Sequence, residues 1–295
     1  MAYENTISLA EQFVPLLDEK YKVESKTAML DTPDQLVREA RTADTVYLPS
    51  IVLDGLADYD RNAGFSDGDV DISWESHKFT QDRGRQFLID RMDDQETIEV
   101  TLASTTGQFQ RNHVVPEIDA YRFAEMHDAA ETTVDEAVDE TDILEKIDTG
   151  HEEMDNAEVP EQGRIIYMNP TAWRYLKQSD ALERNFDVQV GEDEIERGIM
   201  GLDGYPIVKV PQGRFYTEVT IESDGGFDTA GEPINFMIVH EEAVNPIAKH
   251  QQPRIFDPET NQQADAWLFD YRVYHDIFVP KNKTDGVYSS YETEA

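Results

Sequence analysis

From Pro116 to Ala130 the chain runs without a glycine, and the periodicity around this stretch restricts the fold more than any other feature. Val114, Ile118 and Tyr121 fall on one stripe at helical spacing while Phe123 points to the opposite side, which predicts a helix touched from two sides. Its charges, Glu117, Asp119, Arg122, Glu125 and Asp128, are spread around the axis. A helix charged in this way should run along a surface or between subunits, and an ordinary surface helix fits the same periodicity. The helical reading extends upstream over Asp94 to Asn112, with a poor start across Thr101, Ser104, Thr105, Thr106 and Gly107, and Pro116 marks a kink or a break. If nearly continuous to Ala130, the helix would reach about 50 Å at about 1.5 Å per residue. Turn-rich strand patterns precede it and an acidic helical run follows, so it reads as a hinge between two bodies.

Upstream, Met1 to Leu30 mixes apolar and charged positions around Pro15 and lacks the density of a core, which reads as an arm. Thr32-Pro33-Asp34-Gln35 has the caps of a short helix ending near Arg41. Thr45 to Leu53 and Val70 to Asp90 favour strand, with Ile72, Trp74, Ser76 and Lys78 on one face, and Asp54 to Asp69 between them is rich in Gly, Asp and Asn. This predicts a long two-stranded ribbon with a mobile end. Two strands alone bury too little, so the ribbon either finds a surface on a neighbouring subunit or folds back on its own domain.

Downstream, Thr132 to Met154 is helical by pattern, with Val134, Val138, Ile143, Leu144 and Ile147 as its apolar positions. Arg164 to Met168 reads as a short buried strand, and Asn169-Pro170 caps a helix to about Gln178. Strands follow at Phe186 to Val190, Tyr205 to Val210 and Ile234 to His240. In a last long strand, Trp267, Phe269, Tyr271, Val273, His275, Ile277 and Val279 share one face, and Leu268, Tyr274 and Phe278 lie on the other. That strand should pack against the central helix.

With 62 acidic residues against 25 basic ones in 295, the formal charge is −37, and the acids are scattered instead of gathered in a tail. Such a surface repels phosphate, and no Lys/Arg cluster marks a nucleic-acid site. A halophilic origin explains the pattern; an acidic mesophilic protein is the plainer alternative. Zero cysteines exclude disulfides, thiol catalysis and Cys-ligated zinc. No signal peptide and no apolar run of roughly 18 residues occurs, which predicts no membrane span.

No catalytic, cofactor-binding or metal-binding set emerges, so the chain is read as a non-enzyme without a cofactor. The seven histidines are dispersed, and the motifs of zinc hydrolases, serine hydrolases and phosphate loops do not occur. His240-Glu241-Glu242 and His151-Glu152-Glu153 are acid-rich neighbours expected by chance in such a chain. Asp67, Asp69 and Asp71 begin like a calcium loop, but Ile72 and Lys78 stand where the loop needs Gly and Glu. The aromatic strand Trp267 to Phe278 reads as core, because Asp265, Asp270 and Asp276 would repel a nucleic acid.

Four segments in order carry a resemblance. They are Phe65-Ser66-Asp67-Gly68 with Trp74-Glu75-Ser76 and Asp82-Arg83-Gly84-Arg85-Gln86-Phe87 through Ile89-Asp90-Arg91-Met92-Asp93; Val114-Val115-Pro116-Glu117-Ile118-Asp119-Ala120-Tyr121-Arg122-Phe123; Gly198-Ile199-Met200-Gly201-Leu202-Asp203-Gly204-Tyr205-Pro206-Ile207; and Lys249-His250-Gln251-Gln252-Pro253-Arg254-Ile255-Phe256 with Ala264 to Asp276. From about Thr45 onward the chain resembles major capsid proteins of tailed double-stranded DNA viruses, those with the Hong Kong ninety-seven type shell fold.

The resemblance implies an α+β fold with an N-terminal arm (1–44), an extended β-hairpin loop (45–92), a peripheral domain with a long spine helix (93–131), an axial domain (132–240) and a return to the peripheral domain (241–295). It implies self-assembly into pentamers and hexamers of an icosahedral virion capsid around packaged DNA bound without sequence specificity. The virus would infect a halophilic archaeon, the shell would form in the host cytoplasm, and portal and decoration proteins would be partners. Some family members weld their shells through a ribbon lysine, but no lysine lies between Thr27 and His77, so a non-covalent shell is expected. Others carry a scaffolding domain ahead of the arm; the ribbon here begins by Thr45, which leaves too little length for one unless it has already been removed, and a separate scaffolding protein is expected. A cellular nanocompartment (encapsulin-like) shell and a soluble halophilic hydrolase are the alternatives.

Overall fold

A helix held between two sheets organises the molecule. The computed structural model describes residues 25–31, 38–39, 45–59, 61, 65, 67–91, 106–179 and 201–293. The expected arm before Ser25, the cap at Thr32 to Gln35, the helical run over 94–105, the strand at Phe186 to Val190 and the start of the turn at Gly198 lie outside these residues.

In chain order the strands are β1 (Arg38–Glu39), β2 (Thr45–Leu53), β3 (Val70–Lys78) and β4 (Gln81–Asp90), followed by helix α1 (Val115–Asp128). Then come β5 (Thr132–Asp135), α2 (Ile143–Asn156), β6 (Arg164–Met168), α3 (Pro170–Gln178), β7 (Gly201–Leu202) and β8 (Tyr205–Lys209). The chain closes with β9 (Val219–Ile221), β10 (Phe227–Thr229), β11 (Ile234–His240), β12 (Asn245–Phe256), β13 (Ala266–Phe278) and β14 (Val287–Tyr291). No helix among the described residues is long and apolar enough to cross a membrane.

The larger body is a six-stranded mixed sheet in the order β5-β14-β11-β6-β8-β7. Every residue of β6 and β11 is buried, because helices cover both faces. Ile166, Met168, Phe236 and Ile238 meet Ile143, Ile147, Met154 and Leu176 of α2 and α3 on one face. Ile165, Tyr167, Met237 and Val239 meet Tyr121, Phe123 and Met126 of α1 on the other. Asn169 caps α3 as its sequence predicts, its Oδ1 accepting from the Ala172 N–H at 2.6 Å. Gly150 lets α2 lie close on the sheet: a Cβ there would stand 2.9 Å from Ile238 Cδ1 and 3.0 Å from the Tyr288 ring. β14, the last strand, sits between β5 and β11 and so belongs to this body.

The smaller sheet, β12-β13-β4, is antiparallel. β13 is the expected long strand. Its Phe269, Tyr271 and Val273 pack against Val114, Val115 and Ile118 at the start of the helix, so the helix is touched from two sides.

Four local expectations change. Pro116 neither breaks nor ends the helix. Among the described residues the backbone is helical from Thr106, passes through a π turn at Gln110–Val114 and continues into α1, the Val115 N–H donating to Gln110 O five residues back. Widening the helix by one residue absorbs the missing proline donor and the crowding of its ring. The acidic run is not helical from Thr132: β-branched Thr132, Thr133 and Val134 form β5, paired parallel to Tyr288–Tyr291, and α2 starts only at Ile143. The helix foreseen up to Arg41 is absent at Arg38–Glu39, which pair antiparallel with Tyr47 and Val46. Finally, α1 is no surface helix, since Asp119 and Arg122 are 0% and 1% exposed. Their charges find partners inside the chain.

Candidate assembly surface

The ribbon is formed by β2 and β3, paired from Thr45↔Lys78 to Leu53↔Val70. Its far end is closed by two hydrogen bonds, from the Asp54 N–H to Asp69 O and from the Asp69 N–H to Asp54 Oδ2. Period-two alternation puts Val70, Ile72 and Trp74 on one face, and all three are exposed. Leu53 at the end of β2 and, beyond the strands, Leu56, Tyr59 and Phe65 are exposed as well, Leu56 and Phe65 almost completely. The Tyr59 and Phe65 rings meet edge to face at 4.9 Å and otherwise project outward. A run of exposed apolar side chains along one projection makes the ribbon the candidate contact surface.

The second strand of the expected ribbon does not run on to Asp90. It breaks at Phe79-Thr80, after which β4 leaves to pair with β13 over Gln81↔His275 to Asp90↔Ala266. Phe79 is buried at this joint against Tyr274 and Phe278. Thr80 is fixed by Asp276: its N–H and Oγ1 donate to Oδ2 at 2.7 and 2.9 Å, while the Tyr121 hydroxyl donates to Oδ1 at 2.7 Å. The root of the ribbon is therefore tied to the central helix through one buried carboxylate. Burial pushes the Tyr121 hydroxyl well above its usual range, which keeps it a donor. Next to it, burial lowers the His275 imidazole to about 3, with the Arg122 and Arg83 charges adding to the effect. Among the described residues His275 Nδ1 is buried without a hydrogen-bond partner.

A second knot holds the end of the arm. Asp119 Oδ1 accepts from Ser25 Oγ and Thr27 Oγ1, both at 2.8 Å, and Oδ2 accepts from the Lys26 N–H at 2.9 Å and Arg214 Nη1 at 3.3 Å. Arg122 Nη1 reaches Thr27 Oγ1 and Asp31 Oδ1, each at 2.9 Å. The two charges that sequence spread around a surface helix thus clamp residues 25–31 onto it. The one trace in the sequence is the hydroxyl pair Ser25 and Thr27, and nothing in it says which distant carboxylate they meet.

The acid-rich candidates do not converge. Among the described residues no group of three or more His, Asp or Glu side chains has metal-binding geometry, Asp67, Asp69 and Asp71 included. His240 Nε2 lies 2.9 Å from Gln162 O, and His151 Nδ1 lies 3.3 Å from Arg164 Nη1. Both serve the fold of the larger body. The aromatic face of β13 is core, as its acids imply.

No protein-family model and no curated protein matches the sequence. Solved structures do. A chain from the asymmetric unit of the mature capsid of bacteriophage PhiM1 is similar with a TM-score of 0.63 at 12% identity, over 86% of this chain and 83% of that one. A chain of the capsid of cyanophage P-SCSP1u gives 0.62 at 14% identity, over 90% and 87%. A chain of a virus-like particle from Pyrococcus furiosus gives 0.50 at 10% identity, over 97% and 99%. The likeness is one of fold: this mixed helix and strand chain has the fold of capsid chains.

Proposed function

We propose that the chain is the major capsid protein of a tailed double-stranded DNA virus, assembling into the pentamers and hexamers of an icosahedral shell. The observation that carries the reading is the ribbon, a projection with its apolar side chains outside, in a chain with the fold of capsid chains. In this reading the ribbon is the extended loop laid on a neighbour, α1 the spine helix, the six-stranded body the axial domain, and the β12-β13-β4 sheet the peripheral domain. The partners are further copies, a separate scaffolding protein, a portal, decoration proteins and the enclosed DNA. Lys78, expected outside the ribbon, is the last residue of β3 and pairs with Thr45 at its root; the rest of the ribbon from Thr45 to His77 carries no lysine, which supports a shell held without covalent links.

The formal charge of −37 per chain supports a halophilic host and supplies the test. At ~0.1 M salt the screening length is about 10 Å, so facing carboxylates repel across a contact; at ~1 M it is about 3 Å. Electron microscopy of the protein in molar salt should show particles, sparse or aberrant in form when the scaffolding protein is absent, and dialysis to ~0.1 M should open or swell them. Only unassembled chains in molar salt would refute the proposal. A second reading, a cellular nanocompartment, rests on the likeness to the Pyrococcus particle, which spans nearly the whole of both chains. Packaged DNA in purified particles decides for the virus, and an enclosed enzyme decides for the compartment.

A further inference from the structure

One cleft of about 420 Å³ opens between β4, β13, the start of the helix and the turn joining β9 to β10. Its volume lies in the range of about 300–1,000 Å³ over which proteins hold small molecules. The helical wall is the π turn at Gln110–Val114. Phe109 and Val114, five positions apart, would stand roughly 140° apart on a regular helix, and the wider turn brings both to the cleft. Turns of this kind recur at functional sites. The floor is aromatic. Phe87 and Phe109 meet edge to face at 4.8 Å, Phe109 meets Tyr271 edge to face at 5.9 Å, and the His113 ring stacks on Phe109 at 5.8 Å. Phe87 and Phe109 are only half buried, so ring surface is left open to the cleft.

The rim carries positive charge in a chain of formal charge −37. Two arginines and one carboxylate line the cleft. Arg83 is committed to that carboxylate, its Nε and Nη2 donating to Glu117 at 2.7 and 3.3 Å. Arg85 is exposed and donates from Nη1 to the backbone Asp224 O at 2.8 Å; among the described residues it has no carboxylate at ion-pair distance. Gly225 leaves room for the guanidinium, since a Cβ there would stand 3.4 Å from Nη1. One positive charge is therefore left at the edge of an aromatic floor. We infer that this cleft is a binding site for a planar aromatic ring carrying a single carboxylate, the ring lying on Phe87 and Phe109 and the carboxylate meeting Arg85. Ring-on-ring contact favours an aromatic guest over an aliphatic one of equal size. The planar guanidinium matches a carboxylate, and a single uncompensated charge selects a monoanion. The site lies within one chain, so it stands or falls apart from the shell reading.

The test titrates the full-length chain in molar salt, cleared of particles by sedimentation, with naphthoate in a calorimeter. A single saturable site per chain is expected, and uncharged naphthylmethanol, which has the same ring, should bind about tenfold more weakly. Arg85 is exposed, so Arg85→Gln should keep the parental unfolding midpoint. It should lose the preference for the acid, so that the two probes bind it alike. Phe109→Ala should weaken both probes together. No saturable binding by the parent chain, or an acid-over-alcohol preference that survives Arg85→Gln, overturns the site. The exposed apolar residues of the ribbon are the rival place for such a probe. A chain lacking residues 56–69 keeps the cleft and loses Leu56, Tyr59 and Phe65, and it should bind naphthoate as the parent does. Loss of binding in that chain puts the probe on the ribbon and overturns the site as well.

Discussion

The central helix and the ribbon break the same rule in opposite directions. In α1 a carboxylate and a guanidinium are buried, and the chain surrounds Asp119 with Ser25, Lys26, Thr27 and Arg214 so that the charge is satisfied internally. On the ribbon Leu56, Phe65, Val70 and Ile72 face outward. One region is polar inside and complete; the other is apolar outside and unfinished. On the proposed reading, the difference separates what holds a subunit together from what would hold subunits to each other. Changes at the helix should therefore be read in stability, and changes on the ribbon in assembly.

The largest effect is expected at Asp119. Its removal breaks the ion pair with Arg214 and leaves the buried donors of Ser25 and Thr27 without their acceptor, and breaking a buried pair of this kind costs about 3–5 kcal/mol. Domains of this kind hold about 5–15 kcal/mol in all. Chemical denaturation of Asp119→Ala should show the loss, and the variant should free residues 25–31 to proteolysis. A variant within experimental error of the parent would mean that the knot is ornamental.

His275 should give the next largest effect, and its sign follows from the lowered pKa. Above about pH 6.5 the imidazole is neutral in both states and contributes nothing. Between about 6.5 and 3 the unfolded chain binds a proton that the folded chain refuses, so stability falls as the pH drops, by about 1.4 kcal/mol per pH unit. His275→Phe, which keeps an aromatic ring against Tyr121, should flatten that acid limb in denaturation measured from pH 7 to 4. An unchanged slope would place the acid sensitivity elsewhere.

Much of this frame was legible in the sequence, and the failures have a common cause. β6 and β11 follow from short continuous apolar runs, α3 from the Asn169 cap just before it and β13 from its alternation, all signals local to the element. The ribbon was legible too, because a Gly- and Asp-rich turn between β-branched runs is a local signal. Three features were not. Asp119 and Arg122 look like surface charges because their partners stand some ninety positions away, at Ser25 to Asp31. β5 imitates a helix turn by its Val134 and Val138 spacing, and only pairing with Tyr288–Tyr291 makes it a strand. The break at Thr80 depends on Asp276, almost two hundred residues on. The candidate surface was half legible: the position of the ribbon was, whereas the apolar character of its tip was masked by the glycines and acids around Leu56, Tyr59 and Phe65.

A smaller effect is expected at Gly150. Alanine favours helix by about 1 kcal/mol over glycine, but overpacking a core costs about 1–3 kcal/mol. Here the added methyl meets buried Ile238 and Tyr288. Gly150→Ala should thus lose about 1 kcal/mol net in thermal or chemical denaturation, and a gain would show that α2 can slide on the sheet. Phe65→Ser on the ribbon should have the smallest effect on the subunit, within about 0.5 kcal/mol, because exposed positions contribute little to folding. The same substitution should sharply reduce particle yield.

The central claim is that the ribbon's apolar tip is finished only by another subunit. Deleting residues 56–69 tests it most directly, because the bodies on either side of the helix are left untouched. The account predicts a chain with the parental unfolding midpoint that stays unassembled in molar salt, as seen by sedimentation and electron microscopy. Native-sized shells from the deleted chain would contradict it.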